Sequence, residues 1–93
     1  MSIEIRQGEQ VPVPCKVGPG AFPDEYLITV DTAEGEISGF INTVQVVENS
    51  DGTFIRGVVL GVIEDRISIR LPGSFFTTSG IAHFYRKMLN TVQ

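Results

Sequence analysis

FIRGVVLGVIEDRISIRL, residues 54–71, is the stretch on which the fold turns. Arg66, Ser68 and Arg70 alternate strictly with Ile67, Ile69 and Leu71, the period-2 pattern of a half-buried strand. Residues 58–63 are apolar at both parities apart from Gly61, so this run is expected to be buried on both faces. Glu64-Asp65 between the two runs fits a tight hairpin connection. Together they predict the central hairpin of a small, mainly β domain.

The flanking segments extend that picture. Upstream, Asp51-Gly52 is a strong hairpin signal. Residues 36–47 read as one long strand whose apolar parity slips near Gly39, as at a bulge or barrel corner. Residues 26–32 alternate, with Tyr26, Ile28 and Val30 on one face and Leu27, Thr29 and Asp31 on the other. Residues 17–25, VGPGAFPDE, read as the longest loop, with Phe22 either folded back as a plug or exposed as an anchor. Val11, Val13, Cys15 and Val17 alternate with Pro12, Pro14 and Lys16. Because proline donates no ladder hydrogen bond, this is an edge strand or a polyproline-like segment. Residues 3–6 alternate and are read as a short first strand or an arm that docks on a neighbour, with residues 7–10 as a turn, so residues 1–10 are expected to form an N-terminal arm.

Downstream, Pro72-Gly73 ends the sheet, and residues 74–79, with Phe75 and Phe76, read as a connector capping an open end. Ile81, Phe84, Tyr85, Met88 and Leu89 fall on one helical stripe, predicting an amphipathic C-terminal helix over residues 79–90. Thr78 or Ser79 would cap it, and Arg86 and Lys87 would suit its far end.

At 93 residues the chain is read as one domain, 42% apolar and 19% charged. Its positive mean hydropathy implies apolar surface that such a small domain hides against another subunit. The start lacks the basic and apolar runs of a signal peptide, and the longest apolar run is too short for a membrane helix. A cytoplasmic location, or one within an assembled particle, is expected. Charge is divided: residues 1–53 hold nine acids against Arg6 and Lys16, net −7, while residues 54–93 are net +3. Two readings remain: the halves neutralise each other within one fold, or an acidic face of one subunit meets a basic face of the next.

Chemistry-bearing motifs are sparse. Cys15 is the only cysteine and His83 the only histidine, and nothing in the sequence brings them together. Cys15 reads as a small buried hydrophobe and His83 as an exposed residue on the polar side of the helix. The glycine-rich loop lacks the Lys-Ser/Thr of a phosphate-binding P-loop, and residues 49–52 lack the spaced acids of a calcium loop. No catalytic, metal or cofactor site is assigned. No nucleic-acid, membrane or small-molecule partner is expected, since the chain is acidic overall and has no aromatic-basic strand.

GVVLGVIEDRISIRLPG, residues 57–73, resembles the central hairpin of SH3-like and Sm-like barrels. The resemblance covers fewer than twenty residues. It implies an architecture, a five- or six-stranded barrel closed by a helix, and no function. The chain departs from the Sm-like pattern in placing its helix at the C-terminus.

The expected fold is a small SH3-like or Sm-like barrel, or a compact sandwich, of about six strands with a C-terminal amphipathic helix. The expected function is non-enzymatic. The chain would be an assembly protein that forms a homo-oligomer or packs with other structural proteins, such as a decoration or connector subunit of a phage or other particle. Phe22, Tyr26, Phe75, Phe76, Ile81 and Tyr85 are the candidate interface residues. The alternative is a monomeric SH3-like adaptor binding a peptide through a patch of Phe22, Tyr26 and Phe40. A third reading is a small enzyme whose site forms between subunits.

Overall fold

The computed structural model describes residues 5–76 and 79–89. It is mainly β, with nine strands among the described residues. These are β1 (Gln10–Pro14), β2 (Lys16–Pro19), β3 (Glu25–Thr32), β4 (Gly35–Asn42), β5 (Val46–Asn49), β6 (Gly52–Ile63), β7 (Arg66–Arg70), β8 (Ser74–Phe75) and β9 (Ile81–Tyr85). One helical turn, α1 (Arg86–Leu89), follows. All pairings are antiparallel and fall into two sheets. Sheet I runs β1-β6-β7-β9, with β5 also on β6; sheet II runs β2-β3-β4-β8. The sheets do not form a closed barrel. The expectation of about six strands is low because short pieces such as β2, β5 and β8 carry too little periodicity to be counted.

β6 is the strand that holds sheet I together. Ile55 faces Val13 of β1 and Val46 of β5; three residues on, Val58 faces Gln10 of β1 and Arg70 of β7. One edge of β6 therefore carries β1, and the other carries β5 and β7 in succession. Its inward side chains Ile55 and Val59 are buried with Val13, Ile67 and Ile69 from sheet I and Ile28, Val30 and Ile41 from sheet II. Fully burying an aliphatic side chain of this size contributes roughly 1.5–3 kcal/mol, so this shared layer is what holds the sheets to each other.

The predicted hairpin of β6 and β7 is present, closing at Ile63↔Arg66 with Glu64 in the left-handed region at φ 55°. The expected double burial of residues 58–63 is not. Val59 is 1% exposed, but Val58, Leu60 and Val62 are only half-buried and Ile63 is 78% exposed. The register shifts between Val59 and Gly61, so Leu60 sits in a bulge that interrupts the inward alternation.

Chain crossings between sheets account for the other departures. Cys15 separates β1 from β2, its N–H donating to the Thr53 carbonyl at 3.0 Å while the chain turns from sheet I into sheet II. β2 takes up part of the predicted loop and leaves only residues 20–24 as turn. The long strand over 36–47 divides into β4 and β5 at a 3-10 turn, Thr43–Gln45, where Asn42 Oδ1 accepts from the Val44 N–H at 3.0 Å. Gly39 is therefore not a bulge. Ile37, Gly39 and Ile41 continue one inward face, and the slip in pattern arises because Phe40 is an apolar residue on the outer face. Gly39 has another role: a Cβ there would lie 2.2 Å from the Ser74 carbonyl oxygen, so glycine is what allows β8 to pair.

The C-terminal helix over 79–90 is overturned. Residues 81–85 form β9, paired along five rungs with β7, and helix occupies only Arg86–Leu89. Ala82 and Phe84 face the core, at 5% and 1% exposure, while Ile81, His83 and Tyr85 face outward. Two causes compete. A helix of ten to twelve residues is marginal alone, whereas the open edge of β7 offers a ladder to a segment rich in Ile, Phe and Tyr. Thr78, one of the proposed caps, lies outside the described residues. So do residues 1–4 of the proposed arm; Ile5 is buried in the core, and the Gly8 and Glu9 backbones extend the β1 ladder onto Val59.

Candidate functional site

The outward faces of the two sheets follow from strand parity. On sheet I, the outward positions include Arg56, Val58, Arg66, Ser68, Arg70, Ile81, His83 and Tyr85, with Val47 on β5. The outward positions of β1, β5, β6, β7 and β9 carry three arginines and no carboxylate. Arg56 and Arg70 are diagonal neighbours, because Arg70 opposes Val58. Both are exposed and neither has an ion-pair partner among the described residues. They border an open groove of about 530 Å³ whose walls include Val44, Val47, Val58 and Pro72. Val44 is 85% exposed. Phe54 also points outward, but Pro14 and Val47 flank it on either side and it is buried apart from the main core.

Farther along this face two cross-strand pairs hold β9 to β7. Ser68 Oγ lies 2.9 Å from His83 Nδ1, and the Arg66 guanidinium carbon sits 5.7 Å from the Tyr85 ring centroid. Lys87 Nζ approaches the same ring at 6.0 Å. Sequence reasoning placed His83 on the exposed side of a helix; in the strand it is half-buried and hydrogen-bonded.

The outward face of sheet II has the opposite charge. Asp31 and Glu36 are directly opposed across β3 and β4, and both are exposed. Like charges in that arrangement destabilise a sheet. Neither has an ion-pair partner among the described residues, although Lys16 lies on the neighbouring strand. Four residues along β3, Leu27 pairs with Phe40, whose ring meets the Phe76 ring edge-on at 5.3 Å. Phe76 is 61% exposed, so an apolar cluster stands at one end of this face and an acidic pair at the other.

A second cavity, of about 290 Å³, includes that acidic pair in its lining, together with Cys15, Lys16, Phe84 and Met88. Burial, reinforced by the charge of Glu48, pushes the Cys15 thiol up to about 11. A thiol held protonated at neutral pH is a poor nucleophile. The hydrogen-bond partner of His83 is Ser68, not Cys15. Among the described residues, no group of three His, Cys, Asp or Glu side chains could hold a metal ion. No helix among them is long and apolar enough to cross a membrane.

The six predicted interface residues are not brought together. Phe75 is buried, and Tyr26 faces inward against the core. Phe22, at 66% exposure, stands in the turn between β2 and β3; Phe76 is on the sheet II face; Ile81 and Tyr85 are on the sheet I face. Tyr26 and Phe40 point to opposite sides of sheet II, since Leu27, not Tyr26, opposes Phe40. Arg56, Arg70, Asp31 and Glu36 were missed individually. The signal that would have found them was the division of charge along the chain, read together with strand parity.

Comparison with known protein families, curated proteins and solved structures gives no match.

Proposed function

We propose that the chain is a non-enzymatic structural subunit that associates with copies of itself, or with other structural proteins, in a repeating assembly. The observation that carries this reading is the pair of oppositely charged outward faces, each combining unpaired charges with exposed apolar side chains. Such faces fit burial against a partner better than permanent exposure. The adaptor reading is weaker, because it needs Phe22, Tyr26 and Phe40 in one patch and Tyr26 faces the core.

The test is the solution mass by light scattering after gel filtration, at low and high salt over a range of protein concentrations. The expected result is a mass above the 10.2 kDa of one chain, falling as salt screens the charges. A monomer throughout would overturn the proposal.

A further inference from the structure

Resting on that self-association reading, we propose that copies join head to tail, the outward face of sheet I of one copy docking on the outward face of sheet II of the next. Arg56 and Arg70 of the first copy meet Asp31 and Glu36 of the second. The apolar wall of Val44, Val47 and Val58 meets the cluster of Leu27, Phe40 and Phe76.

Charge complementarity names the occupant. On one face, two neighbouring arginines without partners line a groove that also exposes Val44, Val47 and Val58. On the other, two directly opposed carboxylates without partners lie at one end of the face, and Leu27, Phe40 and the exposed Phe76 lie at its opposite end. Each face leaves a charge repulsion that the other relieves, and arginine suits carboxylates because its planar guanidinium donates to both oxygens.

Topology then fixes the mode of assembly. The two faces belong to different sheets whose inward sides share one core, so their outward sides point away from each other. A single two-fold partner cannot cover both. Each copy uses two neighbours, and the contact is heterologous, giving a ring if its rotation closes and a filament if it does not.

The test uses two full-length variants. One carries Arg56→Glu with Arg70→Glu; the other carries Asp31→Lys with Glu36→Lys. All four side chains are exposed, so unchanged circular dichroism and melting are expected. Each variant alone presents faces of like sign and should run as a 10.2 kDa monomer where the wild type is larger. Mixing the two should restore association, because the intact acidic face of the first meets the intact basic face of the second. If the wild type associates and either folded variant still associates alone, or if the mixture of two folded monomers stays monomeric, the assignment of faces is overturned while self-association stands. A monomeric wild type overturns both.

Discussion

Gly57 tests the packing of the shared core most directly, through the substitution Gly57→Ala. Its φ lies outside the left-handed region, so on backbone grounds alone alanine should stabilise the protein slightly, by about 0.4–1 kcal/mol through the unfolded state. Packing reverses the sign. An added Cβ would lie 2.3 Å from Ile69 Cγ2 and 3.2 Å from Val13 Cγ2, and both side chains are fully buried. The first contact falls about 1.1 Å short of the 3.4 Å at which ordinary contact begins, and the branched Ile69 side chain has little freedom to move aside. Overpacking of this kind costs roughly 1–3 kcal/mol. For a domain of this size each kcal/mol lowers Tm by roughly 4–8 °C. Thermal and urea melts followed by circular dichroism should therefore show a clear loss. Ile69→Leu removes the offending branch, so the double variant should be less destabilised than the sum of the single changes, with a coupling of about 0.5–3 kcal/mol. A Gly57→Ala protein melting at or above the wild type would refute this account of the core.

Three further outcomes are expected. Gly39→Ala would drive a Cβ into the Ser74 backbone, so β8 should detach; hydrogen exchange at Phe76, whose N–H donates to the Ser38 carbonyl, should accelerate while the β6–β7 ladder stays protected. Phe84→Ala should cost roughly 3–5 kcal/mol and Tyr85→Ala clearly less, because the two point to opposite faces of a strand; equal losses would favour the helical stripe. The Cys15 thiol should react slowly with iodoacetamide at pH 8. Since the folded state holds its proton up to about 11 and an ordinary thiol loses it near 9.0, its contribution to stability is complete below 9 and declines as pH rises between the two. Cys15 is half-buried rather than fully enclosed; Cys15→Ala should flatten that decline, and an identical alkaline profile would contradict the desolvation of the thiol.

The sequence makes the class of the fold and its central hairpin legible, because period-2 alternation in β3 and β7 is strong and local. That hairpin and the predicted one before it both close at the expected residues: Ile63 pairs with Arg66, and Asn49 with Gly52. What local pattern cannot carry is a choice settled by distant partners. Ile81, Phe84 and Tyr85 satisfy a helical stripe and a strand equally well until the open edge of β7 is known. Gly39 looks like a break in a strand until β8, thirty-five residues later, packs against it. The charged faces were visible only as an imbalance between the two halves of the chain, since Arg56 and Arg70 become neighbours through the β6–β7 pairing.

The order of pairing around β6 also bears on the course of folding. β5, β6 and β7 are consecutive in the chain and joined by tight turns, so this meander closes only short loops and is able to form early. β1 has no such local partner: its ladder requires residues 54–58, forty or more positions downstream. A chain emerging from the ribosome would hold its first strand unpaired until β6 appears, exposing Val11 and Val13 meanwhile. Pro12 and Pro14 lie between and beside those valines, and prolines there hinder extended association of unpaired strands. The two prolines thus protect the nascent chain as well as finishing the edge of the native sheet.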